Sequence, residues 1–182
     1  RAGFLAAQGE LIANVDADTM LTPSWLRTVF DEFSGHPNLV ALSGPFIYYD
    51  LSWPPRLFVR VFYYLAFLTY LINRFVLGVG SMLQGGNFIV KRTALQAIGG
   101  YDTTIEFYGE DADLARRLHR VGPVKWTFRL PMFASGRRLA REGFLTIGIR
   151  YTLNYFWVLF RKHPLHKTSI DIRPARTPKS TR

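Results

Sequence analysis

Six residues, Glu10–Val15 (ELIANV), are mostly apolar at both alternating sets of positions and end on two aspartates, Asp16 and Asp18. A strand that is apolar on both sides needs cover on both faces, as in the parallel sheet of an α/β protein. The run therefore predicts such a strand. Ligands of α/β sheets bind beyond the carboxyl ends of strands, and that is where the two carboxylates stand.

The flanking segments fit the same class. Arg1–Gln8 reads as the end of a helix with Gly9 as its stop. Thr22-Pro23 reads as an N-cap followed by proline at the first helical position. Leu26, Val29, Phe30 and Phe33 then recur at helical spacing and predict the buried face of that helix, which Gly35 and Pro37 end. Leu39–Tyr49 predicts a strand bent at Gly44-Pro45, and Phe88–Val90 another. Arg92–Ile98 predicts a short helix closed by Gly99-Gly100, and Tyr101–Gly109 a loop. Glu110–Val121 predicts a helix, and Val124–Leu130 a final strand. There are no internal repeats.

Aromatic residues are 15% of the chain, and their excess falls in two stretches. Arg56–Val79 carries Arg56, Arg60 and Arg74 as its only charges, and at 100° per residue they form one narrow stripe. The uncharged part, Val61–Asn73, is short of the roughly 20 residues that a spanning helix needs, so it predicts a helix lying in a membrane interface. Gly143–Phe160 is the second stretch, broken by Arg150. From Arg161 onward seven Lys/Arg and three prolines predict a disordered basic tail. The formal charge of +10 favours an anionic partner, whether nucleic acid, anionic lipid or a phosphorylated substrate. The absence of cysteine excludes disulfides and thiolate zinc sites. With no initiator Met and no signal-peptide pattern, the chain is expected to begin inside a longer protein.

Two groups of residues are candidates for chemistry. Asp16 and Asp18 repel each other unless a positive partner joins them. A hard divalent cation bridging phosphate oxygens would supply one; a solvated acidic turn before a helix is the alternative. Asp111 opens the helix that follows Gly109. Leu114, Ala115 and Leu118 lie within about 60° of it on the helical wheel, whereas Asp113 falls on the far side, toward water. A carboxylate on the buried face of a first turn is either a cap or a general base toward a substrate hydroxyl. Gly85, Gly86, Gly99 and Gly100 permit turns or close backbone approach. Arg137-Arg138 could neutralise a diphosphate or serve as juxtamembrane charge. Gly78-Val79-Gly80 is no dinucleotide fingerprint, and neither a P-loop nor a His-rich metal motif is present. His36, His119, His163 and His166 sit at polar positions that predict surface residues.

In order, AAQGELIANVDAD, GGNFIVKRTALQAIGGYD and EFYGEDADLARRLHRVG resemble the family 2 glycosyltransferases of GT-A fold. The resemblance covers roughly Arg1–Leu130 and extends loosely into Ser135-Gly136-Arg137-Arg138. It implies an α/β fold: an incomplete, Rossmann-like mixed sheet flanked by helices, with added interfacial helices. The implied division is a partial catalytic domain over 1–135 with an aromatic insertion at 54–83, a membrane-associated helix over 136–162, and the basic tail 163–182. Asp16-Ala17-Asp18 would be the DxD motif, with Asp18 on Mn²⁺ or Mg²⁺ and Asp16 on the nucleotide or its metal. Glu110-Asp111 would be the ED motif, with Asp111 as the base. Gly85, Gly86 and Asn87 would line the sugar and acceptor pocket, and Glu110, Arg137 and Arg138 would lie within reach of donor or acceptor.

The implied reaction is inverting transfer from a nucleotide sugar to an acceptor hydroxyl, lipid-linked or membrane-proximal, at the cytoplasmic face of a membrane and without nucleic acid. The part of the family pattern that holds nucleobase and ribose is not found, so this chain alone is expected to be inactive. There is no Q-x-x-R-W motif, which argues against a processive cellulose- or chitin-type synthase. Nor does Ser135–Arg138 carry the histidine that some GT-A enzymes add to the metal. The alternative is a non-catalytic basic module that binds membrane surfaces or nucleic acid, although the basic residues do not cluster on one predicted helix.

Overall fold

A computed structural model describes residues 2–78, 81–105 and 109–161, with side chains as far as Trp157. Its centre is a four-stranded mixed sheet in the order β1-β5-β3-β6, formed by Leu11–Val15 (β1), Ala41–Ser43 (β3), Asn87–Lys91 (β5) and Val124–Trp126 (β6). Strand β5 runs antiparallel to both β1 and β3, while β3 and β6 are parallel. The two-residue period of the strands divides their side chains between two cores. Ala41, Phe88 and Val90 face one way, onto Ala94 and Leu95 of α4 (Arg92–Ala97) and Leu114, Ala115 and Leu118 of α5 (Glu110–Leu118). Leu42 and Ile89 face the other way, onto Trp25, Val29 and Phe33 of α2 (Trp25–Gly35). The sheet is therefore the middle layer of an α/β sandwich, the mixed α/β architecture expected.

A smaller sheet, β2-β7-β4, is built from Met20–Leu21 (β2), Met132–Ala134 (β7) and Phe46–Tyr48 (β4). The expected bend at Gly44-Pro45 carries the chain from the larger sheet to this one. A Cβ on Gly44 would lie 2.1 Å from the Leu130 carbonyl oxygen, so only glycine fits there. Asn87 locks the junction. Its amide nitrogen donates to the carbonyls of Gly44 (3.0 Å), Pro45 (3.3 Å) and Leu130 (3.0 Å), and its Oδ1 accepts from the Trp25 indole at 3.0 Å.

The two aromatic stretches are helices. Helix α3 (Trp53–Leu71) continues as a π-helical segment, Ile72–Leu77, and α7 is Phe144–Arg161. Together Trp53–Leu77 makes 25 helical residues, within which an 18-residue stretch has a mean hydropathy of 1.3, long and apolar enough to cross a membrane by length and composition. One side of it nonetheless belongs to the protein: Tyr63 stacks on Trp126 at 5.9 Å, and Tyr63, Tyr70 and Asn73 are buried. Unlike Arg56 and Arg60, Arg74 is half-buried. Its guanidinium donates to the Val124 carbonyl and to the Tyr70 hydroxyl.

Several expectations are corrected. Strand β1 pairs antiparallel with β5 and lies at one end of the four-stranded order, with Val15 exposed, rather than sandwiched in a parallel sheet. Helix α2 begins at Trp25 after Ser24; Thr22 is no cap, and its hydroxyl donates to the Pro131 carbonyl at 2.9 Å. Its buried face is Trp25, Thr28, Val29, Glu32 and Phe33, whereas Leu26 and Phe30 are exposed. The phase shifts because Trp25 and Glu32 find hydrogen-bond partners on other elements. The strand expected over Val124–Leu130 stops at Trp126, and the chain turns before β7. Gly143, at φ +87°, separates a short helix α6 (Arg137–Glu142) from α7. The expected tail, 163–182, lies outside the described residues, as do His163 and His166.

Candidate active site

The Gly85-Gly86 turn before β5 sits between the two candidate carboxylates. The Gly85 N–H donates to Asp111 Oδ2 at 3.2 Å. The Asp16 N–H points to the Gly86 carbonyl at 3.4 Å, and a Cβ on Gly86 would fall 2.2 Å from Asp16 Oδ2. Gly86 also has φ +77°, so both space and backbone demand glycine. β1 and β5, held in register by backbone pairing, thus bring Asp16 beside the Gly85-Gly86 turn, on whose other flank lies Asp111.

Helix α5 supplies Asp111. Leu114 and Leu118 are fully buried in the core, each contributing about 1.5–3 kcal/mol relative to exposure, and they fix the helix against the sheet. Asp111 Oδ1 accepts the Ala112 N–H of the first turn at 2.9 Å, and the side chain also lines a cavity. Burial raises the Asp111 carboxyl above the usual aspartate range, and the Gly85 and Ala112 N–H groups oppose the rise only in part. Glu110 is raised by desolvation and by the charges of Asp111 and Asp16.

Asp113 does not face water. Its carboxylate is 4% exposed and pairs with Arg116 Nη2 at 2.5 Å and Arg117 Nε at 2.7 Å. Arg117 also donates to the carbonyls of Ile98 and Gly100, binding α5 to the turn after α4. The helical wheel misplaced Asp113 because it assigns one buried face, whereas α5 is enclosed on two. His119 is likewise not a plain surface residue: it is half-buried, its Nδ1 has no hydrogen-bond partner, and burial lowers its basicity.

Asp16 and Asp18 diverge. The Asp16 carboxyl is raised by burial and by the nearby charge of Asp18, and Arg138 pulls it back. Asp18 points outward, where its carboxylate pairs with the Arg137 guanidinium. Sequence reading missed Asp50, which accepts the Ser135 hydroxyl at 2.5 Å and the Gly136 N–H at 2.6 Å. Burial tends to raise the Asp50 carboxyl, but these bonds outweigh it and hold it below the usual range. Asp50 thereby sets the start of α6, which delivers Arg137 and Arg138.

One cavity of about 530 Å³ gathers the parts. Asp16, Gly85, Gly86, Glu110, Asp111 and Arg138 line its polar end. Its other wall comes from the aromatic helices, with Phe62, Tyr63 and Ala66 of α3 and Tyr151, Tyr155 and Phe156 of α7. A second cleft of about 740 Å³, which Asp111 also lines, is bounded by Phe4, Asn14, Tyr101, Glu110 and others. Asp18 and Arg137 line neither cavity. Asn87 lines neither as well: its side chain is buried and spent on the sheet junction. Among the described residues no group of three or more His, Asp or Glu is placed to hold a metal. The aromatic walls could be read from the sequence only as apolar helices; that Tyr151 and Tyr155 would face Asp111 had no local signal.

Comparison with known proteins gives two matches. Residues 11–164 match the profile described as glycosyl transferase family group 2. The chain is also 28% identical over 101 residues to the glucosyl-dolichyl phosphate glucuronosyltransferase of Haloferax volcanii, a match covering 52% of this chain and 30% of that protein. The chain therefore spans about a third of that relative's length. The profile match runs from β1 through both carboxylate motifs to the end of α7, so the chain belongs to glycosyl transferase family group 2.

Proposed function

We propose that this chain carries the base and acceptor side of an inverting glycosyltransferase that moves a sugar from a nucleotide sugar to a lipid-linked or membrane-proximal hydroxyl. The observation that carries the reading is the single cavity in which Asp111, Asp16 and Arg138 share space with two aromatic helices. The Asp111 carboxylate takes the proton of the acceptor hydroxyl. The acceptor oxygen forms its bond to the anomeric carbon from the face opposite the diphosphate. The anomeric C–O bond breaks, and the nucleoside diphosphate leaves with the electron pair. A desolvated carboxylate of raised basicity suits the first step. Arg138, which lines the same cavity, is proposed to meet the leaving diphosphate, because a guanidinium matches phosphate oxygens.

Asp16 and Asp18 would hold Mn²⁺ or Mg²⁺, whose charge would offset that of the diphosphate as it departs. Their chemistry fits: burial and then the charge of Asp18 raise Asp16, a cation would relieve the repulsion between the two, and two carboxylates plus phosphate oxygens and water make a suitable hard-cation set. Arg137, now paired with Asp18, is proposed to turn to the donor phosphates once the cation is bound.

Support for a lipid-linked acceptor comes from the name of the relative and from the exposed apolar side chains of α3, its π-helical continuation and α7, among them Leu57, Leu65, Leu68, Phe75 and Trp157. Because Tyr63, Tyr70 and Asn73 are buried in the protein, α3 is proposed to lie in the interface at the cytoplasmic face rather than to span. No nucleic-acid partner is proposed. The test is Asp111→Asn in the intact protein: donor binding is expected to persist while transfer falls by at least about 10²-fold. Turnover near the wild-type rate would refute the base assignment.

A further inference from the structure

Glu142 is a buried carboxylate that the proposed reaction does not use. It ends α6, and its side chain is 4% exposed. One oxygen, Oε2, accepts Arg150 Nη1 of α7 at 2.9 Å. The other, Oε1, lies 3.6 Å from Arg138 Nε and accepts no hydrogen bond. A desolvated carboxylate with one oxygen short of a partner is costly unless the charges around it repay it. Both neighbours are arginines that bear on the cavity. Arg138 lines its polar end and offsets the charge of Asp16. Arg150 precedes Tyr151 and Thr152, which line the aromatic wall together with Asn154 and Tyr155. The three side chains are mostly shielded, with Arg138 at 27% and Arg150 at 23% exposure.

We infer that Glu142 is a positioning residue: it holds the Arg138 guanidinium at the diphosphate end of the cavity and ties that arginine to the helix forming the acceptor wall. This rests on the reading of the cavity as a glycosyltransferase site. The stem of Arg138 leaves a six-residue helix and has many rotamers, and the carboxylate charge beside its Nε narrows that choice. Groups that orient metal ligands from behind commonly matter about 10- to 100-fold for affinity, and the same scale is expected for a group that orients a phosphate-binding arginine.

The test uses inorganic pyrophosphate with Mg²⁺ as the probe, measured by calorimetry on the full chain. Wild type is expected to bind, Arg138→Ala to bind about 10-fold or more weakly, and Glu142→Gln to match that loss. The double variant should bind no worse than Arg138→Ala alone, because Glu142 acts through Arg138. A purely structural carboxylate would instead lower the melting temperature while leaving affinity unchanged, or would add its loss to that of Arg138→Ala; either result overturns the inference. Should Glu142→Gln lose its cooperative melt, Glu142→Asp keeps the charge with a shorter reach and is expected to bind between wild type and Arg138→Ala; wild-type affinity there overturns the inference. Wild-type protein that ignores Mg²⁺-pyrophosphate overturns the reading of the cavity itself, and with it the role of Glu142. Wild-type binding that Arg138→Ala abolishes and Glu142→Gln spares overturns the role of Glu142 alone.

Discussion

Replacing Asp113 with alanine removes the shared acceptor of two shielded arginines. Arg116 and Arg117 are 12% and 20% exposed, and the carboxylate is 4% exposed. Breaking a buried pair from one side typically costs about 3–5 kcal/mol, because the remaining charge stays desolvated. Two features place this case at the lower end. Arg117 keeps the carbonyls of Ile98 at 3.0 Å and Gly100 at 2.7 Å, and both arginines retain some access to water. About 3 kcal/mol is therefore expected for Asp113→Ala. For a chain of this length that is a fall of about 6–12 °C in melting temperature. Asp113→Asn keeps an acceptor oxygen without the charge and should lose about half as much. Urea denaturation followed by circular dichroism would measure both. Asp113→Ala within about 1 kcal/mol of wild type would show that the triad is not a buried ion-pair network, whatever its distances. The result bears on function because the same helix begins with Glu110 and Asp111, so loosening its anchor at Gly100 moves the proposed base.

Gly86→Ala combines a left-handed φ with a Cβ driven into the Asp16 carboxylate; it should cost about 1–2 kcal/mol and weaken Mg²⁺-pyrophosphate affinity, and an unchanged isotherm would count against Asp16 as a donor-side residue. The raised carboxyl of Asp111 sets the sign of two pH effects. Transfer needs the carboxylate, so kcat/KM should rise with pH through a limb lying above the ordinary aspartate range near about 3.9. Folding bears the cost of the buried charge above that raised value and loses it as the group protonates at lower pH, so Asp111→Asn should melt at or above wild type at neutral pH and converge with it in acid; a variant less stable than wild type at pH 7 would refute this. Leu65→Asp with Leu68→Asp places charges on the exposed side of α3, where both leucines are more than half exposed. The pair should abolish sedimentation with vesicles containing anionic lipid while leaving the melting temperature within a few degrees; retained sedimentation would refute the interfacial placement.

Local pattern determined much of this molecule. The apolar run before Asp16, the helical spacing of Leu114, Ala115 and Leu118 and the Gly44-Pro45 bend are short-range signals, and the strands and helices they imply are present. The order of the carboxylate motifs was enough to reveal the family, because it is a property of the chain and not of its folding. Tertiary structure decided which faces are buried and what each polar group meets. Leu26 and Phe30 face outward because Trp25 and Glu32 reach Asn87 and Lys125, residues 62 and 93 positions away. Asp113 is interior because two arginines neutralise it, and Asn87 serves the sheet junction because three carbonyls converge on it. Burying a polar atom is favourable only when a partner is supplied, and such partners come from distant parts of the chain. Hydrophobic periodicity carries no record of them, so the arrangement of Asp16, Asp111 and Arg138 around one cavity, with Glu142 beside Arg138, could be seen only once β1, β5, α5 and α6 were assembled.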